Sequence, residues 1–317
     1  MSIELVPYES RYAEAWDAFC ASAANATFLH TRRFISYHGE RFNDLSLLVM
    51  DSDKMVGVFP AAQALSDPGL VVSHPGITYG GLVHQGKLAG NRMIEALEAI
   101  VEHYAKVGYR RLQYKPLPFI YATIPAQDDL YALFRLGAQR VRCDLSCCID
   151  LAARRPLSER RRRGLKKALA AVTLSSEPTA LGELWRVVAQ NLARKHEALP
   201  VHSLDELTKL HERFPQQIQV RCALMDGVVE AGVIFFNAAR VWHAQYIAAS
   251  EAAYEVSALD AVFDAAILEA QQAGALYFDF GTSNEEGGKV LNDGLYRFKS
   301  EFGGAGVAHD FYELDLI

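Results

Sequence analysis

The sequence lacks the features that mark membrane, secreted or nucleic-acid-binding chains. No apolar run approaches the ~20 residues that cross a bilayer. The N-terminal residues MSIELVPYESRYAEAW lack the basic-then-apolar order of a signal peptide. Basic residues are not in excess, because 32 Lys and Arg stand against 38 Asp and Glu, for a net charge of -6. We therefore expect no membrane insertion, no general attraction to DNA, and a cytoplasmic location.

Cysteine is scarce, and its number is odd. Three of the five cysteines lie in VRCDLSCCIDL, where residues 141, 143, 145, 147 and 149 alternate with more polar neighbours. That period of two predicts a strand with one buried face. An odd count without a second pair of metal ligands predicts buried thiols in a reducing compartment and no metal site.

Common phosphate-binding loops are also missing. GxGxxG does not occur, and the lysine of GGKV is not followed by the Ser or Thr that a Walker lysine requires. Residues 279–304, DFGTSNEEGGKVLNDGLYRFKSEFGG, nevertheless contain a glycine-rich polar loop that follows the apolar run ALYFDF and closes on an amphipathic segment with Tyr296 and Lys299. This loop needs another explanation.

The sequence does contain an internal repeat. LSLLVMDSDKMVGVFPAAQA (45–64) and QVRCALMDGVVEAGVIFFNA (219–238) each read as two strands around a turn. Each is followed by a helix of about four turns that ends at a glycine, and then by a strand, in 93–114 and 259–280. A repeat of this length predicts two copies of one α/β domain, because solenoid repeats are much shorter.

A strongly basic segment, RRPLSERRRRGLKK (154–167), lies between the copies. Pro156 and Ser158 predict a turn and then the start of a helix. Two interpretations of its arginines stay open. They line the solvated face of a helix, or they form a positive rim for a phosphate-bearing ligand, because arginine forks match phosphate oxygens.

The order of hairpin, helix, and strand ending in a polar loop resembles the GNAT acyltransferase fold in tandem. The closer resemblance is to the FemAB-like branch, including BioF2-like acetyltransferase domains, and it covers nearly the whole chain. It depends on FLHTRRFISYHGERFND, RRRRGLKKA, ARKHEALPVHSLDEL, WHAQYIAAS, and DFGTSN followed by LNDGLYRFKSEFGG. The resemblance implies an α/β (α+β) fold class with two tandem GNAT-like domains, 1–150 and 151–317. Each would have a mixed, mainly antiparallel sheet flanked by helices.

The resemblance also implies a reaction in which an amine attacks a thioester directly, without a covalent enzyme intermediate. The site must deprotonate an ammonium, polarise the thioester carbonyl and protonate the departing thiolate. The expected partners are an acyl donor, either acyl-CoA or an acyl-carrier protein, and a small-molecule amine such as an amino sugar or amino-acid derivative. SHPGITYGGLV (73–83) is similar to stretches in family members associated with cell-surface glycan assembly.

Three residues are candidates for catalysis. Asp279 ends a strand at the edge where α/β sheets bind ligands, and it could accept the proton of the amine. His202 is an alternative base, just before a helix that Ser203 and Glu206 would cap. Tyr246, on the strand WHAQYIAAS, could protonate the leaving sulfur or be a core aromatic residue.

Other polar side chains are candidates for binding the substrate. Lys299 could meet a substrate carboxylate or pair with an acid at the surface, and Asn292 is expected to cap its helix. By simple alternation, Gln245 and His243 share the strand face opposite to Tyr246, and either could line the cleft. The substrate-binding candidates are Lys299, Ser283, Asn284, Gln245 and Tyr296.

The expected donor site departs from the family pattern. A typical acetyltransferase places R/Q-x-x-G-x-G/A before a helix whose first amides bind the pyrophosphate of CoA. Here that place reads SEAAYEVSALDAV (250–262), which has no glycine and an unfavourable acid at Glu255. A carrier-protein thioester therefore stays open beside acyl-CoA. The cofactor-binding candidates are Ser257, Ala258, Arg162 and Arg163.

Two further functions stay open. FemAB-like relatives also use aminoacyl-tRNA, but that activity commonly goes with an inserted helical hairpin. The region 180–213 reads instead as two helices with a break at Leu199-Pro200. A non-catalytic module that holds a glycan or peptide is the other alternative. The first copy is expected to be a scaffold, because its last strand, in YRRLQYKPLPFIYATIP, leads into proline and apolar residues.

Overall fold

The computed structural model describes residues 3–196 and 202–316. The helices are α1 (Ala13–Ala21), α2 (Arg32–Ile35), α3 (Asn91–Val107), α4 (Asp128–Arg135), α5 (Glu159–Leu169), α6 (Ala180–His196), α7 (Leu204–Arg213), α8 (Glu251–Glu255), α9 (Ala258–Gln272) and α10 (Asp293–Ser300). The strands are β1 (Ile3–Pro7), β2 (Leu47–Asp51), β3 (Lys54–Phe59), β4 (Ala62–Gln63), β5 (Leu70–Val72), β6 (Val83–His84), β7 (Arg111–Tyr114), β8 (Gln139–Asp150), β9 (Thr173–Ser175), β10 (Ile218–Met225), β11 (Val228–Ala238), β12 (Val241–Ala249), β13 (Tyr277–Thr282), β14 (Asn284–Glu285), β15 (Val290–Leu291) and β16 (Ala305–Asp315). None of the described helices combines the length and apolarity of a membrane span.

The chain divides into two compact units. Unit 1 comprises Met1–Asp144, Glu286–Lys289 and Ala308–Ile317, and unit 2 comprises Leu145–Glu285 and Val290–Val307. The end of β16 groups with unit 1 because Tyr312 to Asp315 pair antiparallel with β7. The sequence, in contrast, suggested that all of 151–317 belongs to the second domain, since a pattern of local elements does not show which strand a distant terminus will join.

Unit 1 is built around a four-stranded antiparallel sheet in the order β1-β2-β3-β6. Its longest helix, α3, buries Met93, Leu97, Ile100 and Tyr104 at spacings of three and four, which gives it one apolar face. The helix ends at Gly108, whose φ of 99° is the left-handed cap conformation that favours glycine. The predicted glycine stop is therefore confirmed.

Unit 2 contains the strand order β8-β13-β12-β11-β10-β9. All neighbours are antiparallel except β12 and β13, which are parallel. On one face, α9 packs its apolar side against a core rich in aromatic rings, including Phe263 and Phe278 at a centroid distance of 6.2 Å. On the other face lies α6, whose Trp185 contacts Tyr246 of β12.

Each unit repeats the sequence of hairpin, helix and strand. In unit 1 these are β2-β3, α3 and β7, and in unit 2 they are β10-β11, α9 and β13. The predicted α/β fold class, with tandem GNAT-like sheets flanked by helices, is confirmed.

The predicted strand at the cysteine cluster exists as β8, but its one-faced burial is wrong. Val141 is half exposed, whereas Ser146, Cys147 and Cys148 are buried in succession. Unit 2 covers both faces of this part of the strand. Cys147 joins the core against α9, and the hydroxyl of Ser146 binds the buried Asp279 on the other face.

Candidate active site

The two parallel strands of unit 2 separate partway along their length. β12 pairs with β13 only from Val241 to His243, although β12 continues to Ala249. Beyond His243, the edge of β12 that faces β13 forms no ladder with any strand in the described residues, 3–196 and 202–316. Backbone N–H and C=O groups along such an edge can bind an extended ligand. We call this gap between β12 and β13 the slot, and its closed end lies at His243 and Asp279.

Asp279 is fully buried at the closed end of the slot. Its carboxylate accepts hydrogen bonds from the hydroxyl of Ser146, from the backbone N–H of Gly281 at 2.9 Å, and from Nδ1 of His243 at 2.9 Å. Gly281 has a φ of 75°, a conformation that glycine adopts without steric cost, and this turn aims its N–H at the carboxylate. Three donors thus hold the orientation of Asp279.

His243 is the residue that the Asp279 carboxylate orients. Since the carboxylate accepts from Nδ1, the proton of the neutral ring lies on Nδ1 and Nε2 carries the lone pair. A Cβ placed on Gly281 would lie 3.3 Å from Cε1 and 3.9 Å from Nε2, so this edge of the ring faces Gly281 near the end of β13. A carboxylate behind an imidazole is the arrangement that fixes the tautomer of a general base.

This geometry differs from the predicted role of Asp279. The sequence suggested direct contact between Asp279 and the amine, but a carboxylate with no exposed surface contacts its three donors instead. From the sequence, His243 is expected only among the residues that could line the cleft. The signal that could have identified it is the parallel register of β12 and β13, which pairs His243 with Asp279 on one face.

A β-bulge in β12 changes which side chains share a face. The pairing with β11 shifts by one residue so that Gln245 has no partner in the ladder. Trp242 and Ile247 therefore both pack on the side of α9, and Tyr246 lies on the opposite face with His243. The predicted simple alternation is wrong at this point, because a bulge reverses the phase of the residues that follow it. The side-chain Oε1 of Gln245 is buried and has no hydrogen-bond partner among the described residues.

Tyr246 and His202, two predicted catalytic residues, are in contact. The Tyr246 hydroxyl lies 2.6 Å from Nδ1 of His202, and its ring packs edge-on against Trp185 at 5.0 Å. Burial raises the pKa of Tyr246 to about 12, so the phenol stays protonated at neutral pH. His202 precedes the predicted capping box of Ser203 and Glu206, which the structure confirms. The predicted break at Leu199-Pro200 lies outside the described residues.

Lys299 is a buried structural cation. Its ammonium donates hydrogen bonds to the carbonyls of Gly281 at 3.0 Å and Thr282 at 2.7 Å. Burial lowers the pKa of Lys299 to about 8, although the charge of Asp279 acts in the opposite direction. Neither predicted role, a substrate carboxylate partner or a surface ion pair, matches this position, because the side chain is turned inward against the backbone at the end of β13. Asn292 caps α10 as predicted, accepting from the N–H of Leu295 at 2.9 Å.

The other three predicted substrate-binding residues support the loop around β14. Ser283 is buried, and its hydroxyl has no partner among the described residues. Asn284 accepts a hydrogen bond from the N–H of Leu145 at 2.5 Å, which ties the loop to β8. Tyr296 is half-buried against the core, and burial raises its pKa. Of the three, Ser283 is the one whose polar group is left available for a ligand.

The start of α9 offers little to a pyrophosphate. Ser257 precedes the helix with a φ of 59° and makes no side-chain cap, and Ala258 is fully buried. Asp260 lies in the first turn, buried and paired with Arg161, and burial raises its pKa to about 6. An acid at this position competes with a phosphate for the positive end of the helix. The residues at the start of α9 therefore fit the pyrophosphate of CoA poorly.

The basic segment forms α5, which Ser158 caps as predicted. Arg161 turns inward, where its Nε lies 3.1 Å from Glu301. The predicted cofactor ligands Arg162 and Arg163 are both exposed, and Arg162 pairs with Glu159 on its own helix. In this run of arginines, Arg161 is therefore buried, whereas its neighbours face the solvent.

Unit 1, for which the sequence predicted only a scaffold, contains a cavity of about 370 Å³ whose lining includes ionisable and aromatic side chains. The guanidinium of the buried Arg32 stacks 3.3 Å over the ring of Tyr8 and pairs with Asp44 at 2.8 Å. The rings of His38 and His74 stack at 5.1 Å in its wall. A metal-binding group of three or more His, Cys, Asp or Glu side chains is not found within the described residues.

Comparisons with known proteins agree with this fold. Residues 152–300 match the family described as Acetyltransferase (GNAT) domain. No curated protein sequence matches the chain. Similar solved structures are the crystal structure of FemX (11% identity, TM-score 0.68, 98% of this chain and 96% of FemX), L-PGS from Bacillus licheniformis (12%, 0.62, 96% and 91%), and the tandem GNAT protein from the clavulanic acid biosynthesis pathway (11%, 0.53, 100% and 99%).

Identities this low indicate a shared fold and not a shared substrate. The family match covers most of unit 2, including the slot, His243 and Asp279. Residues 152–300 therefore match a GNAT acetyltransferase domain, and the fold of the chain is similar to the folds of FemX and of the tandem GNAT protein.

Proposed function

We propose that the chain is an N-acyltransferase that moves an acyl group from a thioester donor to the amine of a small molecule. The acceptor class is an amino sugar or an amino-acid derivative, used in cell-surface glycan assembly. The observation that supports this function most is the Asp279–His243 pair, 2.9 Å apart, at the closed end of the slot. A base next to an open strand edge is what direct attack on a bound thioester requires.

In the proposed reaction, the thioester arm extends along β12, whose free edge pairs with its amide groups. Nε2 of His243 accepts a proton from the attacking amine, and Asp279 stabilises the imidazolium that forms. The nitrogen bonds to the carbonyl carbon, the C–S bond breaks, and the thiolate takes a proton. Tyr246 is the proposed donor of that proton, because it is protonated at neutral pH and lies on the face of His243.

The test is steady-state kinetics of His243→Gln with a panel of amines and a simple acyl thioester, read as release of free thiol. We expect kcat to fall about 10²-fold or more, with the KM of the donor little changed. His103→Gln, in α3 of unit 1, is the matched control and should retain wild-type turnover. If the His243 variant keeps more than a third of wild-type kcat, another group is the base.

FemAB-type aminoacyl transfer from aminoacyl-tRNA is a second candidate, favoured by the fold similarity to FemX. An aminoacyl ester reacts with an amine through the same steps and would use the same base. Transfer from charged tRNA, measured beside transfer from a thioester of the same acyl group, separates the two functions directly.

A further inference from the structure

The basic helix α5 is fixed against the start of α9. A Cβ on Gly164 would collide with Oδ2 of Asp260 and would lie 3.3 Å from Cβ of Ser257. Arg161 joins this contact through a buried ion pair with Asp260. Helix α5 therefore packs on the start of α9, the long helix that follows β12 in the chain.

One flank of α5 presents cations beside this contact. Arg160, Arg163 and Lys167 lie four residues before, one before and three after Gly164, which places them on the same side of the helix. All three are exposed. The ammonium of Lys167 donates to the carbonyl of Glu255 at 2.5 Å, so this flank reaches the α8–α9 connection. No hydrogen bond or ion pair joins Arg160 or Arg163 to any residue that the structure describes.

Among the described residues, Arg160 acts on an acid only through the effect of its charge on the buried Asp260. The chain as a whole carries a net charge of -6. A negatively charged partner is therefore repelled at long range and would need a local positive surface to dock. The start of α9 does not supply a cradle for the phosphates of a nucleotide, because Ala258 is buried and Asp260 occupies the first turn. Charge and shape together favour a protein surface over the nucleotide of CoA as the occupant.

We propose that the natural acyl donor is an acidic carrier protein. Its acidic side chains dock on the α5 flank formed by Arg160, Arg163 and Lys167, and its phosphopantetheine thioester enters the slot between β12 and β13. This inference rests on the proposed function, because it names the partner that delivers the thioester to His243.

The experiment compares one acyl group on three donors: a purified acyl-loaded carrier protein, acyl-CoA and acyl-N-acetylcysteamine. The measured quantity is kcat/KM for the carrier donor divided by kcat/KM for the N-acetylcysteamine donor. In the double variant R160E/R163E this ratio should fall tenfold or more at low ionic strength, and salt should lower the wild-type ratio. The control K87E/R135E, which reverses two exposed cations of unit 1, should leave the ratio unchanged.

Circular dichroism and urea unfolding verify that each variant is folded. If charge reversal unfolds R160E/R163E, the neutral pair R160Q/R163Q should still lower the ratio by about threefold. An unchanged ratio in the folded variant overturns the docking surface. If the variant instead loses kcat/KM only with acyl-CoA, the α5 flank binds the phosphates of the nucleotide. If transfer occurs only from charged tRNA, the flank binds RNA.

The same data separate this proposal from the proposed function. If acyl-N-acetylcysteamine supports transfer but the carrier ratio does not respond to the variants, only the docking proposal fails. If no thioester, including the smallest, acylates any amine, the N-acyltransferase function itself fails.

Discussion

Replacing Asp279 by Asn should remove most of the turnover while keeping the fold. The carboxamide retains an oxygen for the Ser146 hydroxyl and the Gly281 N–H, but it turns an NH2 group toward Nδ1 of His243. Two donors cannot share one hydrogen bond, so the imidazole changes to the tautomer with its proton on Nε2. That tautomer has no lone pair at the nitrogen that faces the substrate.

The expected loss follows from the value of a general base. Such a base contributes about 10²–10⁴ in rate, so kcat of Asp279→Asn should fall by that factor, or about 3–5 kcal/mol in the activation barrier. Ser146→Ala is the matched control, because it removes one of the three hydrogen bonds and leaves the carboxylate in place. It should cost about 1 kcal/mol of unfolding free energy and less than about fivefold in kcat.

The assay is release of free thiol at saturating donor and acceptor, with urea unfolding of each variant in parallel. A folded Asp279→Asn protein that keeps at least a third of wild-type kcat refutes the reasoning. A variant whose KM rises while its kcat is unchanged also refutes the reasoning, because the proposed role of Asp279 is in the chemical step.

Three further predictions concern packing, pH dependence and the leaving group. Gly164→Ala should lower the unfolding free energy, measured by urea titration, by about 2 kcal/mol or more. The added Cβ would collide with Asp260, and this cost exceeds the ~1 kcal/mol by which alanine is favoured over glycine in a helix. A stabilised variant would contradict the close contact between Gly164 and Asp260. Burial lowers the pKa of Lys115 to about 7, whereas a lysine in the unfolded chain keeps its proton up to about pH 10.5. Between about pH 7 and pH 10.5 the unfolded chain therefore binds one more proton, and the unfolding free energy should rise with pH by at most ~5 kcal/mol. The rise should be absent in Lys115→Met, and an equal rise in both proteins would refute the lowered pKa of Lys115. Tyr246→Phe should lower kcat about tenfold with alkyl thioesters. The loss should be smaller with aryl thioesters, because aryl thiolates leave without taking a proton. Equal losses with both kinds of donor would show that Tyr246 does not protonate the sulfur.

Local signals in the sequence were enough to predict most of the elements. The caps at Ser158, Ser203 and Asn292 and the glycine stop at Gly108 each depend on a few neighbouring residues, and the structure has all four. The repeated order of hairpin, helix and strand could be predicted for the same reason, because turns and periodicity are encoded over short stretches.

The working arrangement of the site depends on contacts that no local pattern encodes. The register that pairs His243 with Asp279 joins strands separated by α8 and α9, so the sequence does not show that these two side chains meet. The bulge at Gln245 moved Tyr246 to the face of His243, and nothing in the alternation marks a bulge. Likewise, only the packing of α5 on α9 shows that Arg161 is the arginine of the basic run that is buried in an ion pair.

The most direct test of the account is a crystal structure of the protein with a thioether analogue of the donor and a bound amine. We predict that the arm of the analogue lies between β12 and β13, and that the amine nitrogen is within hydrogen-bond distance of Nε2 of His243. An analogue bound away from this slot, or an amine that contacts neither His243 nor a water held by it, would contradict the central claim.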